Sequence, residues 1–336
     1  MKASIKDVAR HAGVSTATVS RALNSPHLVR PDTQQAVERA IDTLQFRPNL
    51  VGRQLRTTRT GIIGVVLPTL SNPVFADCLQ GIEEAAARRG YRVLVATTHY
   101  ELERERQSLD TLLRQRVDGL ILTVANADGN AMLARVRQSD MPYVLAYNHS
   151  QEHPCVTVAN RLAAAEAVAS LIALGHQRIA ALTGLLGRSD RAVQRYAGYC
   201  DAMAAAGLEA APAIEVDFNA PALPAPLLDR LAAADALDRP TALFCGNDHL
   251  AMLAMHGLVG RGVRVPGDLS IMGFDGLAFG QFLTPTLATV SQPSTTIGAC
   301  ALEALHERFG GMPAGRALIL PHGLRQGGSV AAPVHP

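Results

Sequence analysis

Residues 5–25, IKDVARHAGVSTATVSRALNS, decide how the chain is read. Ile5, Val8, Ala9 and Ala12 recur at helical spacing, which predicts an amphipathic helix. Gly13 ends it, because a residue without Cβ enters the left-handed cap conformation at little cost. Ser15 is expected to cap a second helix from Thr16 to about Leu23, with Val19 and Leu23 on its buried face. Two short helices across a tight glycine-containing turn make a helix-turn-helix, whose second helix lies in a DNA major groove. Thr16, Ala17, Ser20 and Arg21 are left on the outer face. They offer a methyl contact, short hydroxyls and one guanidinium suited to guanine O6 and N7.

Helical hairpins are common, so the specificity lies in the whole string. D-V-A-x-x-A-G-V-S-x-x-T-V-S-R-x-L-N, residues 7–24, resembles the signature of the lactose/galactose repressor (LacI/GalR) family of bacterial regulators. The resemblance implies a sequence-specific DNA-binding transcription regulator, with Ser15, Thr16, Ala17, Thr18, Ser20, Arg21 and Asn24 at the DNA.

Charge agrees with this placement. The net charge is only +2, yet residues 1–60 hold 10 Lys and Arg against 4 Asp and Glu, while the rest hold 21 against 25. A basic head on a mildly acidic body puts the polyanion-binding surface at the N-terminus.

Asp32 or Pro31 starts a third helix, running to about Leu44, with Ala36, Val37, Ala40, Ile41 and Leu44 as its apolar stripe and Phe46 plugging the small core. RPNLVGRQLRTTRTG, residues 47–61, follows. By resemblance it is a hinge helix that orders in the minor groove. Asn49 belongs to its motif, Leu55 is the wedge at the central base step, and Arg53 and Arg56 lie near phosphates. Gly52 stands where relatives often carry alanine, which costs a helix about 0.5–1 kcal/mol.

From Gly61 onward, short apolar runs alternate with helical patterns. IIGVVLP, RVLVATT, GLILTV and YVLAY form one round; RIAALTG, IEVDF, ALFCGN and LSIMGF form a second, beginning after Asn160. Such alternation means βαβ units, and two rounds mean two doubly wound lobes. ATVSQP and a last helix, Thr295 to Phe309, are expected to return to the first lobe. The expected organisation is a small all-α helix-turn-helix domain (1–48), a hinge (49–59) and a periplasmic-binding-protein-like α/β core (60–336). Lobe one takes about 60–160 and 291–320; lobe two takes about 161–290 and 321–336.

Ligands of open α/β lobes sit outside the carboxyl ends of the strands. The residues at those ends are Asn72, Phe75, His99, Tyr147 and Asn148 in lobe one. Lobe two offers the loop from Ser189 to Arg195, Phe218, Asn247 with Asp248, and Asp275; Gln292 sits on a crossover. Hydroxyl-binding amides and carboxylates beside aromatic platforms suit a polyhydroxylated ligand. The resemblance gives Arg195, Asn247 and Asp275 the role of effector contacts, Phe218 that of a stacking aromatic and His99 that of a cationic contact. LPTLSNPVFADCLQGIE, the His99–Tyr100 pair and RVDGLILT most resemble gluconate repressors. Arg188, Arg191 and Arg195 with His99 suit a carboxylate, so a sugar acid is the expected effector, with neutral sugars as competitors.

A chain of 336 residues with 48% hydrophobic content can bury sizeable cores in two or three domains. Cys78, Cys155, Cys200, Cys245 and Cys300 are scattered, which argues against disulfides and zinc. There is no G-x-G-x-x-G after a strand, no P-loop and no G-x-S-x-G, so no enzyme, cofactor or metal is expected. No membrane span or signal peptide is read, which separates the chain from a periplasmic sugar receptor and places it in the cytoplasm. The expected partners are operator DNA with an inverted repeat, a small sugar or sugar-acid effector and a second copy of the chain.

Overall fold

Ser4 opens the first helix, α1 (Ile5–His11). Its N–H and hydroxyl both donate to Asp7 Oδ2, at 2.9 and 2.6 Å, and these bonds pull the Asp7 carboxyl below its ordinary value. Helices α2 (Thr16–Asn24) and α3 (Pro31–Thr43) follow. Val8, Ala9, Val19, Ala22, Val37, Ala40 and Phe46 form the core between them. Ala22 is the buried partner of Val19, while Leu23 is only half-buried against that core. The loop after α2 contains a short 3₁₀ turn, Pro26–Leu28, which the sequence reading leaves irregular.

The structure, a computed structural model, describes residues 3–24, 26–46, 59–217, 220–233, 239–311 and 317–334, with Asn24 as backbone only. Two compact units divide at Thr60 and Gly61. The hinge residues Asn49, Arg53, Leu55 and Arg56 lie outside the described residues, as does Phe218.

The second unit holds two six-stranded sheets. The first contains β1 (Ile62–Leu67), β2 (Arg92–Thr97), β3 (Gly119–Leu122), β4 (Tyr143–Ala146), β5 (Cys155–Val158) and β11 (Leu318–Leu320), in the order β11-β5-β4-β3-β1-β2, all parallel. The second contains β6 (Ile179–Gly184), β7 (Ile214–Val216), β8 (Ala242–Cys245), β9 (Ser270–Asp275), β10 (Ala288–Ser291) and β12 (Gly323–Arg325), in the order β12-β10-β9-β8-β6-β7. Only β12 runs antiparallel. The central strands are continuous apolar runs because helices cover both faces.

Helices α4 (Pro73–Arg88), α5 (Leu102–Arg114) and α6 (Ala131–Gln138) belong to the first lobe. Helices α7 (Asn160–Ala173), α8 (Asp190–Ala205), α9 (Ala225–Ala232) and α10 (Asp248–Val259) belong to the second. The last helix, α11 (Ser294–Phe309), packs on α4. Their backbones cross closely, because a Cβ on Gly81 would overlap Thr295 O and one on Gly298 would overlap Cys78 O.

The return of the chain is placed more finely than expected. The strand of ATVS, β10, pairs with β9 in the second sheet, and the chain passes to the first lobe at Gln292 and Pro293, just after the expected boundary at about 291. The chain also crosses after β5 and after β11. Gln292 therefore sits at a lobe boundary, beside the strand ends of both sheets.

Candidate nucleic-acid interface and ligand cleft

On α2, Ser15 acts as expected. Its Oγ accepts from Thr18 N–H at 3.1 Å and lies 2.9 Å from Thr18 Oγ1. Gly13 turns the chain at φ +64°. The cap fixes the start of α2 and leaves Thr16, Ala17 and Arg21 exposed, with Thr18 and Ser20 half-buried. Three exposed positions within two turns of one helix are the geometry that lets side chains reach base edges.

The cleft lies within the second unit, between the carboxyl ends of the two sheets. Three helices begin at it, and their capping residues are thereby locked. Asn72 Oδ1 accepts from Val74 N–H at 3.2 Å, Ser189 Oγ from Ala192 N–H at 3.4 Å, and Asn247 Oδ1 from Leu250 N–H at 2.7 Å. The first lobe adds an aromatic wall, with Phe75 packed edge-on against Tyr147 and Tyr100 at centroid distances of 5.5 and 6.5 Å. Tyr147 is anchored by donating to Val74 O at 2.7 Å. The cavity these residues enclose is about 30 Å³, the room of a water or two, so a larger ligand enters only as the lobes part.

The second lobe supplies a buried ion pair. Arg195 Nη1 lies 3.2 Å from Asp275 Oδ1 and donates to Gly246 O at 2.6 Å. Arg195 Nε donates to Asn160 Oδ1 at 2.9 Å, and the guanidinium rests 3.6 Å over the Phe274 ring. Burial pushes the Asp275 carboxyl up; Arg195 opposes that shift, helped by Asn72 and Gln292. Gln292 Nε2 donates to Asp275 Oδ1 at 2.8 Å.

Three buried oxygens in this cleft, Thr183 Oγ1, Asp275 Oδ2 and Gln292 Oε1, have no hydrogen bond of ordinary geometry. A buried polar atom left unpaired costs about 1–3 kcal/mol. Each of the three can accept a hydrogen bond.

Of the residues read as effector contacts, Asn72, Phe75, Tyr147, Arg191, Arg195, Asn247, Asp275 and Gln292 line the cleft. His99 does not: it is exposed, and its neighbour Tyr100 turns inward instead. Asn148 does not line it either. It is fully buried, exchanges hydrogen bonds with the Val124 backbone and donates to Asp190 Oδ2 at 2.7 Å. That contact joins the lobes. Beside it, Asp190 N–H donates to Ala125 O, Ala127 N–H to Asp190 Oδ2, and Arg191 Nη1 to Val124 O, at 2.8, 3.2 and 2.9 Å. Tyr100 and Thr183 were missed in the sequence. Tyr100 follows a left-handed His99, and Thr183 is the polar end of an apolar strand.

The arginines read as a carboxylate site do not gather in the cleft as a cluster of unpaired cations. Arg188 is half-buried in a 3₁₀ turn away from the cleft lining, Arg191 pairs with Asp190 at 3.0 Å, and Arg195 pairs with Asp275. Each arginine of the cleft already faces a carboxylate.

A helix-turn-helix unit, with two doubly wound lobes around a buried polar cleft, defines a ligand-responsive DNA-binding regulator. The chain belongs to the LacI family of bacterial regulatory proteins. Residues 4–49 match the model described as bacterial regulatory proteins, lacI family, and residues 60–320 the one for periplasmic binding proteins and the sugar binding domain of the LacI family. It is 33% identical to catabolite control protein A of Priestia megaterium, over 96% of this chain and 97% of that protein. It is 35% identical to the HTH-type transcriptional repressor PurR of Photobacterium profundum, over 91% and 92%. Among solved structures, a lac repressor dimer bound to operator and the anti-inducer ONPF matches with TM-score 0.86 at 27% identity, covering 99% of this chain and 100% of that one. The chain is thus a DNA-binding transcriptional regulator of repressor type and not an enzyme. These relatives do not support the narrower likeness to gluconate repressors.

Proposed function

We propose that the chain is a cytoplasmic repressor that binds an inverted-repeat operator as a homodimer. A small neutral polyhydroxylated effector in the cleft controls its affinity for DNA. The three unpaired acceptor oxygens carry this reading. Hydroxyl groups, of a neutral sugar or of a sugar acid, can donate to all three; the carboxylate of a sugar acid brings only acceptors and meets arginines already paired, which favours the neutral ligand. The aromatic wall of Phe75, Tyr100 and Tyr147 suits the apolar face of a sugar ring. A similar solved structure, a transcriptional regulator CelR–cellobiose complex, 28% identical with TM-score 0.68, holds a neutral sugar. Arg21, Thr16 and Ala17 are assigned to base edges, and Asn49, Arg53, Leu55 and Arg56 to the hinge at the minor groove.

The test is a melting screen against D-ribose, D-glucose, cellobiose and gluconate. A ligand at 100 times its Kd stabilises the folded chain by about 2.7 kcal/mol. A shift with a neutral sugar and none with gluconate is expected; a shift with gluconate alone would overturn the effector assignment.

A further inference from the structure

Asp248 follows the cleft residue Asn247 but is not part of the cleft lining. It is fully buried at the start of α10. Its Oδ1 accepts from Thr289 Oγ1 on β10 at 2.5 Å, and its Oδ2 from Leu277 N–H, in the loop after β9, at 2.7 Å. The space for the carboxylate comes from Gly273 on β9, where a Cβ would overlap Asp248 Oδ1.

The same loop is gripped from other sides. Gly276 N–H donates to Thr289 Oγ1 at 3.3 Å. Arg325, on β12, donates to Gly276 O at 3.1 Å and to Leu277 O at 2.7 Å. Both peptide groups of Gly276 and Leu277 are therefore held by side chains from three separate elements. The loop needs this grip because Asp275 sits at φ +123°. A non-glycine residue held there costs about 1–3 kcal/mol and persists only where its surroundings over-determine it.

We propose that Asp248 is a positioning residue for effector binding. Through Thr289 and Leu277 it clamps the loop that presents Asp275, and it never touches the ligand itself. The clamp ties together the ends of β8, β9 and β10, which carry Asn247, Asp275 and Gln292. The proposal rests on the cleft being the neutral-sugar site. Its structural half, the clamp, can be tested without any sugar.

The experiment uses the full chain and three variants: Thr289→Val, which keeps the shape and removes the hydroxyl; Thr289→Ser, which restores it; and Asp248→Asn. Hydrogen exchange is followed by mass spectrometry over residues 274–280, and affinity for D-ribose, D-glucose and cellobiose by calorimetry. Thr289→Val and Asp248→Asn should each speed exchange at Gly276 and Leu277 about tenfold. They should weaken the best-bound of the three sugars about tenfold, the scale of one lost hydrogen bond to a charged group. Thr289→Ser should stay close to wild type on both readouts, a rescue that loss of general packing would not produce. The proposal is overturned if Thr289→Val and Asp248→Asn leave both readouts unchanged, or if Thr289→Ser is as impaired as Thr289→Val. If the wild type binds none of the three sugars, the effector reading falls and exchange alone decides: faster exchange confined to residues 274–280 upholds the clamp, and unchanged exchange ends it.

Discussion

Asn148 of the first lobe donates to Asp190 of the second at 2.7 Å, and the Asp190 peptide N–H donates back to Ala125 O at 2.8 Å. The lobes are thus joined at one side of the cleft by bonds the protein makes itself, 42 residues apart along the chain. A closure that is partly made in advance lowers what a ligand must supply to complete it.

Breaking this contact should therefore weaken effector binding without touching the ligand. Asn148→Ala and Asp190→Ala are each expected to lower sugar affinity about tenfold. The double variant should lose less than the sum, with a coupling of about 0.5–3 kcal/mol. Calorimetry on the four proteins measures this, and strict additivity would show that the two residues act independently.

Thr183 Oγ1 is buried and unpaired. Thr183→Val removes a polar atom of the same size, so it should leave the unliganded chain as stable as wild type or more so. Sugar affinity should fall by about 0.5–1.5 kcal/mol, the net worth of one neutral hydrogen bond. Melting without ligand, set beside calorimetry with it, separates the two effects. Lost stability with unchanged affinity would mean that the hydroxyl serves the fold.

Burial, with Asp275 adding to it, raises the Asp248 carboxyl from 3.8 to about 7, while Thr289, the Leu277 amide and Arg325 oppose the rise. The neighbouring Cys245 thiol on β8 is itself pushed up by burial and by Asp248. Between about pH 4 and 7 the folded chain keeps a proton that the unfolded chain releases, so this group's contribution to stability falls as pH rises and levels off above 7. Relative to wild type, Asp248→Asn should gain stability across that window, by at most about 1.4 kcal/mol per pH unit. Urea midpoints at several pH values test the difference, and parallel curves would contradict it.

Arg21 is exposed on α2, next to the exposed Ala17 turn. Arg21→Ala should cost about 1–3 kcal/mol at the operator and relax preference at one position per half-site. Binding to a pool of randomised half-sites reads this directly. A uniform loss over all sequences would make Arg21 a phosphate contact.

Much of this was legible in the sequence because the governing rules are local. Gly13, Ser15 and Val19 announce a turn, a cap and a buried face, and strand-end polar residues such as Asn72, Asn247 and Asp275 fall at the cleft wherever two doubly wound lobes meet. What stayed hidden depends on distant partners. His99 and Tyr100 both take left-handed backbone, φ 53° and 60°, and nothing local tells which side chain turns inward. Asn148 looks like a ligand contact until Asp190 claims its amide. Counting arginines suggested a carboxylate site because Asp275, which pairs with Arg195, is 80 residues away along the chain, and because the pairing of Arg191 with its neighbour Asp190 shows only in three dimensions. β5 and β12 are only four and three residues long, too short for any periodic pattern.

The central claim is that a neutral polyhydroxylated ligand in the cleft and operator DNA are coupled through one chain. The most direct measurement is operator affinity, on a site obtained by selection from random duplex DNA, with and without the sugar that shifts the melting point. The account predicts that the sugar weakens operator binding and that the operator weakens sugar binding by the same factor, as linkage requires. It also predicts that Asp275→Ala binds the operator normally and no longer responds. A sugar that binds the cleft tightly and leaves operator affinity unchanged would contradict it.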